Sequence, residues 1–598
     1  MILHTIDWIL VLAFFILSLG IGLAVYRRAG SNTAEYFLSG RNMPWWLLGV
    51  SMVATTFSCD TPNLVTDIIR QNGVAGNWVW WAFLLTGMLT VFVYAKLWRR
   101  SAVMTDLEFY ELRYSGRPAA FLRGFRAIYL GFFFNIMIMA AVSLSLIKMG
   151  LVLLNWSPAR TLITISLITL VYSTMGGLRG VLITDFFQFA MAMVGAIGAA
   201  FVALHLPEVG GLKGLLTHPD VVPKLNFFPS FSNREALVTL LILPLAVQWW
   251  SVWYPGSEPG GGGYIAQRML SAKNESHAIG ATLVFNVAHY ALRPWPWIIV
   301  ALASICVYPD LASLQAAFPH VDASIVRHDL AYPAMMSFLP TGLLGLVVAS
   351  LIAAFMSTIS THLNWGSSYL VNDWYLRFIN PKATEKQSVL VARIFTVLLM
   401  VFAGGLALLL QNALQAFHIL LQIGAGTGLL FILRWFWWRI NAYSELSAMA
   451  ISFVIALYLE LIHPHTGLPA LSTAVKLTTG VGITTICWII VTIFTRPTDA
   501  AKLQSFYRLV HPGGPGWRKI ILEAKTQGED LDPHAKPWDV PLGILCMVLG
   551  CLLVYSALFA TGSWIYGDVG LASVLTGICV LSSWGLIHNW RKILGNTI

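Results

Sequence analysis

Residues 44–69, PWWLLGVSMVATTFSCDTPNLVTDII, decide how the rest of the chain is read. The stretch is long enough to cross a bilayer and begins apolar. Thr55, Thr56, Ser58, Cys59, Asp60, Thr61, Pro62 and Asn63 then interrupt it. Pro62 removes a backbone donor and pushes the residue before it out of helical geometry. A carboxylate such as Asp60 is costly in hydrocarbon. Broken backbone at membrane depth survives only where it lines a cavity or is buried in protein. The stretch therefore predicts a helix broken midway by a polar turn.

Composition agrees. Of 598 residues, 57% are hydrophobic and 11% charged, with a mean hydropathy of +0.72. Soluble domains carry about a quarter charged residues, so the chain reads as a polytopic membrane protein in a lipid bilayer. The first apolar run, Ile6 to Tyr26, is followed by no small-residue cleavage site and is expected to be retained. The net charge of +10 sits in short loops, where it orients the chain instead of binding nucleic acid. Cys59, Cys306, Cys487, Cys546, Cys551 and Cys579 fall inside apolar spans with no disulfide or zinc spacing.

Apolar windows from 6–26 to 569–589 predict an all-α fold of about fifteen transmembrane helices. Every second connection is basic: Arg27, Arg28 and Arg41, then Lys96 to Arg126, and so on to Arg591 and Lys592. This places the N-terminus outside a cell membrane and the C-terminus in the cytoplasm. The cytoplasmic loop 496–539, with HPGGPG at 511–516, reads as a flexible or surface-lying connector. A second interruption, WWSVWYPGSEPGGGGY at 249–264, falls five segments after the first. Read structurally, it is a glycine-rich loop after an ordinary helix. Read with its spacing, it marks inverted repeats of five helices with a site between them, the pattern of secondary transporters.

Ionisable groups inside the membrane are functional candidates. Asp60 sits in the first break, Asp185 in the sixth segment and Arg293 in the eighth. Lys148, near the outer end of the fourth segment, is expected to snorkel to the interface. Asp185 also fits a carboxylate answering a helix dipole after Gly176 and Gly177. In the ninth segment Ser357, Ser360 and Thr361 share one helical face, with Thr358 beside them. Hydroxyl and carbonyl oxygens suit a hard monovalent cation. The alternative is that these hydroxyls bond back to the preceding turn or join helices.

Five stretches carry a family resemblance. They are YSTMGGLRGVLITDFFQ at 172–188, FLSGRNMPWW at 37–46, TDLEFYELRY at 105–114, YIAQRMLSAK at 264–273 and AAFMSTISTHLN at 353–364, with Asp373 and Tyr375 beyond. In this order they resemble the sodium:solute symporter family, with weaker likeness up to about residue 445. The resemblance implies the leucine-transporter-type fold: one helix in front, a five-plus-five inverted-repeat core and about four helices behind. The units would be 1–43, 44–206, an outer loop 207–233, 234–440 and 441–598. It further implies Na+ as coupling ion, held by the carbonyls of Ala54, Phe57 and Ala354 and the hydroxyls of Ser357 and Thr358. Members that move two sodium ions add a site whose counterpart here is Asp185, Ser357, Ser360 and Thr361.

The solute positions depart from the family's sugar transporters. Their Glu-Gln pair is replaced by Asp60 and Thr61, their Tyr-Glu-Trp by Trp78, Trp80 and Trp81, and their Asn-Gln by Gly262 and Gly263. Tyr264 remains as an inner gate aromatic. Asp60, Thr61, Trp78, Trp81, Tyr264 and Arg293 are the expected solute contacts, though Asp60 and Arg293 equally suit a pair with each other. The implied solute is a sugar, an amino acid, or a sialic-acid-like or other carboxylate. The expected activity is sodium-coupled symport by alternating access, not enzymatic. A solute sensor or a sodium-conducting channel are the rival readings.

Overall fold

The computed structural model describes residues 3–29, 31–56, 58–250, 258–410, 423–533 and 538–594. Helices make up the regular structure of the described residues, and no strand occurs among them. Eleven of these helices are long and apolar enough to cross a membrane.

The first break falls where the polar residues predict it. One half-helix, Trp45–Thr56, ends, and a second, Asp60–Asn72, begins. Pro62 lies in the first turn of the second half, where backbone donors have no helical partner and its missing N–H costs nothing. Gly73, at φ 71°, ends that half. In the second interrupted segment, helical residues 234–246 lead to a short turn, Gln248–Trp250. Residues 251–257 of that predicted break lie outside the described residues. Gly260 and Gly261 take positive φ before a new half-helix starts at Gly263–Ser271.

Two features tie the broken segments together. Met43 and Ala272 form a parallel bridge, with Met43 N–H donating to the Ser271 carbonyl and Lys273 N–H to the Met43 carbonyl. The segment Glu275–Val307 lies along both halves of the first broken helix. The fifth and sixth predicted segments form one run, Pro158–Leu204, bent at Gly177. Its φ of 53° is a conformation that a β-carbon would strain. That run packs along Leu343–Ser368, which carries the serine cluster, and along Thr5–Ala29.

Of the two forms expected for loop 496–539, the surface-lying one is found and the flexible one is corrected. Ala500–Val510 and Arg518–Thr526 are helices docked on the protein, not a flexible connector. Leu503, Phe506, Tyr507 and Val510 recur at helical spacing and are buried. Trp517 is fully buried, donates its indole N–H to the Trp435 carbonyl (2.9 Å), and lies under the Arg113 guanidinium at 4.9 Å. A helix of about three turns yields too short a pattern to stand out beside segments of 20 residues.

Candidate functional site

The C-terminal end of a helix leaves carbonyls without partners. At the first break two buried residues answer them. Arg293 donates to the carbonyls of Val53 (3.0 Å) and Thr56 (3.2 Å), and Thr358 Oγ1 donates to that of Thr55 (2.7 Å). Arg293 also bonds His289 and lies over the Trp297 ring. The residue expected beside the solute therefore caps the broken helix. Its cation complements the negative end of the helix dipole, which desolvation would otherwise leave uncompensated. Of the five groups expected around the first sodium ion, Ala54, Ala354, Ser357 and Thr358 are buried at this junction. Phe57 lies outside the described residues.

A second cluster surrounds Asp185, which is fully buried eight residues past the Gly177 bend. Its distance from that bend removes it from the helix start, so it does not answer a helix dipole. Its carboxylate accepts from Ser51 Oγ (2.5 Å) and Ser357 Oγ (2.6 Å). Arg268, from the second broken segment, lies 4.0 Å from Asp185. It donates to Thr361 Oγ1 (2.7 Å), Ser51 Oγ (3.2 Å) and Thr55 Oγ1 (3.3 Å). Ser360 Oγ donates back to the Ser357 carbonyl at 3.1 Å. Asp185, Ser357 and Thr361 thus converge, and a guanidinium sits among them.

Beside the break opens a cavity of about 150 Å³. Asp60, Thr61, Tyr264, Trp80, Asp67 and Asp329 line it, with His289 and His362. No lysine or arginine lines it among the described residues. Tyr264 Oη and Thr56 Oγ1 are 3.1 Å apart, so the tyrosine closes one end.

Two of the expected tryptophans are elsewhere. Trp78 donates to the Phe227 carbonyl (2.9 Å) and packs on Tyr555 and Phe559, and Trp81 lies edge-on to Phe559. Trp80 faces the cavity instead and stacks on Tyr290. On a helix, positions three apart share a face and the residue between them points away. The apolar C-terminal helix Val540–Tyr566 claims the face with two indoles.

Lys148 corrects a further expectation. Its side chain is only 1% exposed and pairs with Asp329 at 2.5 Å, so it does not snorkel. Its partner lies 181 positions away, beyond any local pattern. Ion pairs also knit the side of Tyr264 that faces the basic loops. Arg123 joins Glu108 (3.2 Å), Glu111 (2.9 Å) and Asp373 (2.6 Å), and Arg126 pairs with Glu258. The sequence marks these only as motif residues and loop charges.

Comparison with known proteins agrees with this geometry. The description "Sodium:solute symporter family" matches residues 36–452. A sodium/glucose cotransporter of Vibrio parahaemolyticus is 26% identical over 76% of this chain and 86% of its own. Sodium/myo-inositol cotransporter 2 of Oryctolagus cuniculus is 26% identical over 73% of this chain and 67% of its own. Among solved structures, a Na+-coupled sialic acid symporter in a substrate-bound outward-open state superposes with a TM-score of 0.65 at 20% identity. The match covers 83% of this chain and 99% of that one, and it establishes a shared fold. These relatives are transporters, not enzymes. With more than half its length matched, the chain belongs to the sodium:solute symporter family.

Proposed function

We propose that this protein is a sodium-coupled symporter that moves a small polar solute across the cell membrane by alternating access. The observation carrying the reading is the junction at the first break, where Thr358 meets the Thr55 carbonyl and Ala354 and Ser357 are buried alongside. Sodium held between these elements would fix the broken helix against the serine-rich helix and complete the cavity wall. The two broken segments and the likeness in fold support a five-plus-five core within about fifteen helices. The basic-loop alternation supports an outside N-terminus and a cytoplasmic C-terminus.

A second sodium ion would use Asp185, Ser357, Ser360 and Thr361 once Arg268 gives up its bond to Thr361. One sodium ion falling through 100 mV and a tenfold gradient supplies about 3.7 kcal/mol, and two about 7 kcal/mol.

For the solute, the cavity wall favours a hydroxyl-rich or amine-bearing molecule over a carboxylate. Lys148 offsets Asp329, but Asp60 and Asp67 contribute negative charge with no cationic side chain on the wall among the described residues. Trp80 offers an apolar face against a ring. The names of the glucose and inositol relatives point the same way.

The test is uptake of labelled polyols, amino acids and sialic acid into proteoliposomes, with and without an inward sodium gradient. Accumulation above equilibrium that sodium removal abolishes supports symport. Flux that never exceeds equilibrium points to a channel, and binding without flux to a sensor. Either outcome refutes the proposal.

A further inference from the structure

Tyr264 also borders a second cavity, of about 60 Å³. Thr86, Gly87 and Thr90 form one wall, Glu258, Gly261 and Gly262 another, and Thr282, Asn286 and Tyr290 a third. It lies towards the basic loops: Trp98 donates to the Gly260 carbonyl (2.8 Å), and Arg126 pairs with the neighbouring Glu258.

Two oxygens on this wall are buried and accept no hydrogen bond among the described residues: Glu258 Oε2 and Asn286 Oδ1. Their residues are 4% and 1% exposed. Asn286 Nδ2 donates to the Thr282 carbonyl (2.8 Å), so a flipped amide would set two oxygens against each other, and Oδ1 stays the free atom. Each oxygen presses on a glycine: a β-carbon at Gly262 would overlap Glu258 Oε2, and one at Gly87 would overlap Asn286 Oδ1. The hydroxyls of Thr90 and Thr282 donate to the carbonyls of Thr86 (2.9 Å) and Ala278 (2.9 Å), which turns their lone pairs to other partners. The wall is therefore rich in oxygen acceptors and includes a carboxylate.

We infer that this inner cavity is a second station for a hard monovalent cation, occupied on the cytoplasmic side of Tyr264 as the ion leaves. Oxygen acceptors around a buried carboxylate suit a small cation, which brings no acceptor of its own. The inference rests on sodium coupling, and the experiment separates the two.

Sodium trapped inside proteoliposomes that contain the full chain should slow uptake by holding the inner station. Asn286→Ala and Thr90→Val each remove one oxygen and leave the Arg126–Glu258 pair intact. Each should raise the internal sodium concentration for half-inhibition about tenfold, the loss of one charge-assisted contact. The external sodium dependence should stay within about twofold of the parent. Unchanged internal inhibition in the correctly folded variants, or equal inhibition by internal choline, would overturn the inference. Loss of external sodium dependence in the parent protein would instead overturn the symport reading.

Discussion

Asp185→Asn is the sharpest perturbation of the proposed coupling. The carboxylate accepts from Ser51 and Ser357 at 2.5 and 2.6 Å and faces Arg268 at 4.0 Å, all buried. Asparagine keeps the shape, removes the charge and turns one acceptor into a donor facing a serine. If Asp185 holds a second sodium ion, the driving free energy falls from about 7 to about 3.7 kcal/mol. The limiting solute gradient then drops from about 10⁵-fold to about 500-fold, and the sodium Hill coefficient falls from about two towards one. Losing the counter-charge should also destabilise the protein by about 3–5 kcal/mol, because Arg268 stays buried. Adding Arg268→Gln should recover part of that stability without restoring the Hill coefficient. The assay is sodium-titrated uptake in proteoliposomes at fixed potential, alongside thermal unfolding in detergent. An unchanged Hill coefficient in the folded single variant would refute the second site and leave Asp185 as a structural counter-ion.

Ser357→Ala removes an oxygen shared by both proposed sodium sites and should raise the sodium concentration for half-maximal uptake about tenfold or more, read from the same titration. Lys148→Met leaves Asp329 unpaired beside the cavity and should cost about 3–5 kcal/mol, whereas Lys148→Met with Asp329→Leu should recover most of it. Equal unfolding temperatures for the single and double variants would count against the pair. Trp517→Ala should cost about 3–5 kcal/mol and leave sodium dependence alone, because its contacts belong to the docked 496–539 segment. A shifted sodium titration there would mean that this segment communicates with the site.

Much of the fold is legible in local chemistry. A cluster of hydroxyls, an acid and a proline in the middle of an apolar span favours a broken helix, which is why residues 44–69 reveal the first break without any neighbour. The glycine run likewise marks the restart at Gly263. Helical spacing places Ser357, Ser360 and Thr361 on one face, and that face is buried where Ser357 meets Asp185 of the Pro158–Leu204 run and Thr361 meets Thr55 of the first broken helix.

The tertiary structure decides which residue meets which. Periodicity gives a side chain an angle on its own helix but says nothing of the helix packed opposite. Arg293 meets Val53 from 240 positions away, Lys148 meets Asp329 from 181, and Arg268 meets Thr361 from 93. Each pairing meets the cost of burying charge or open backbone in a dry interior. Trp80 takes the cavity because Phe559 and Tyr555 occupy the other face of its helix. So the amino-acid sequence by itself determines a membrane-spanning helical chain with two interrupted segments and a hydroxyl-bearing helical face. Only packing decides that a guanidinium stands among the proposed ligands of the second cation and that the cavity wall is acidic.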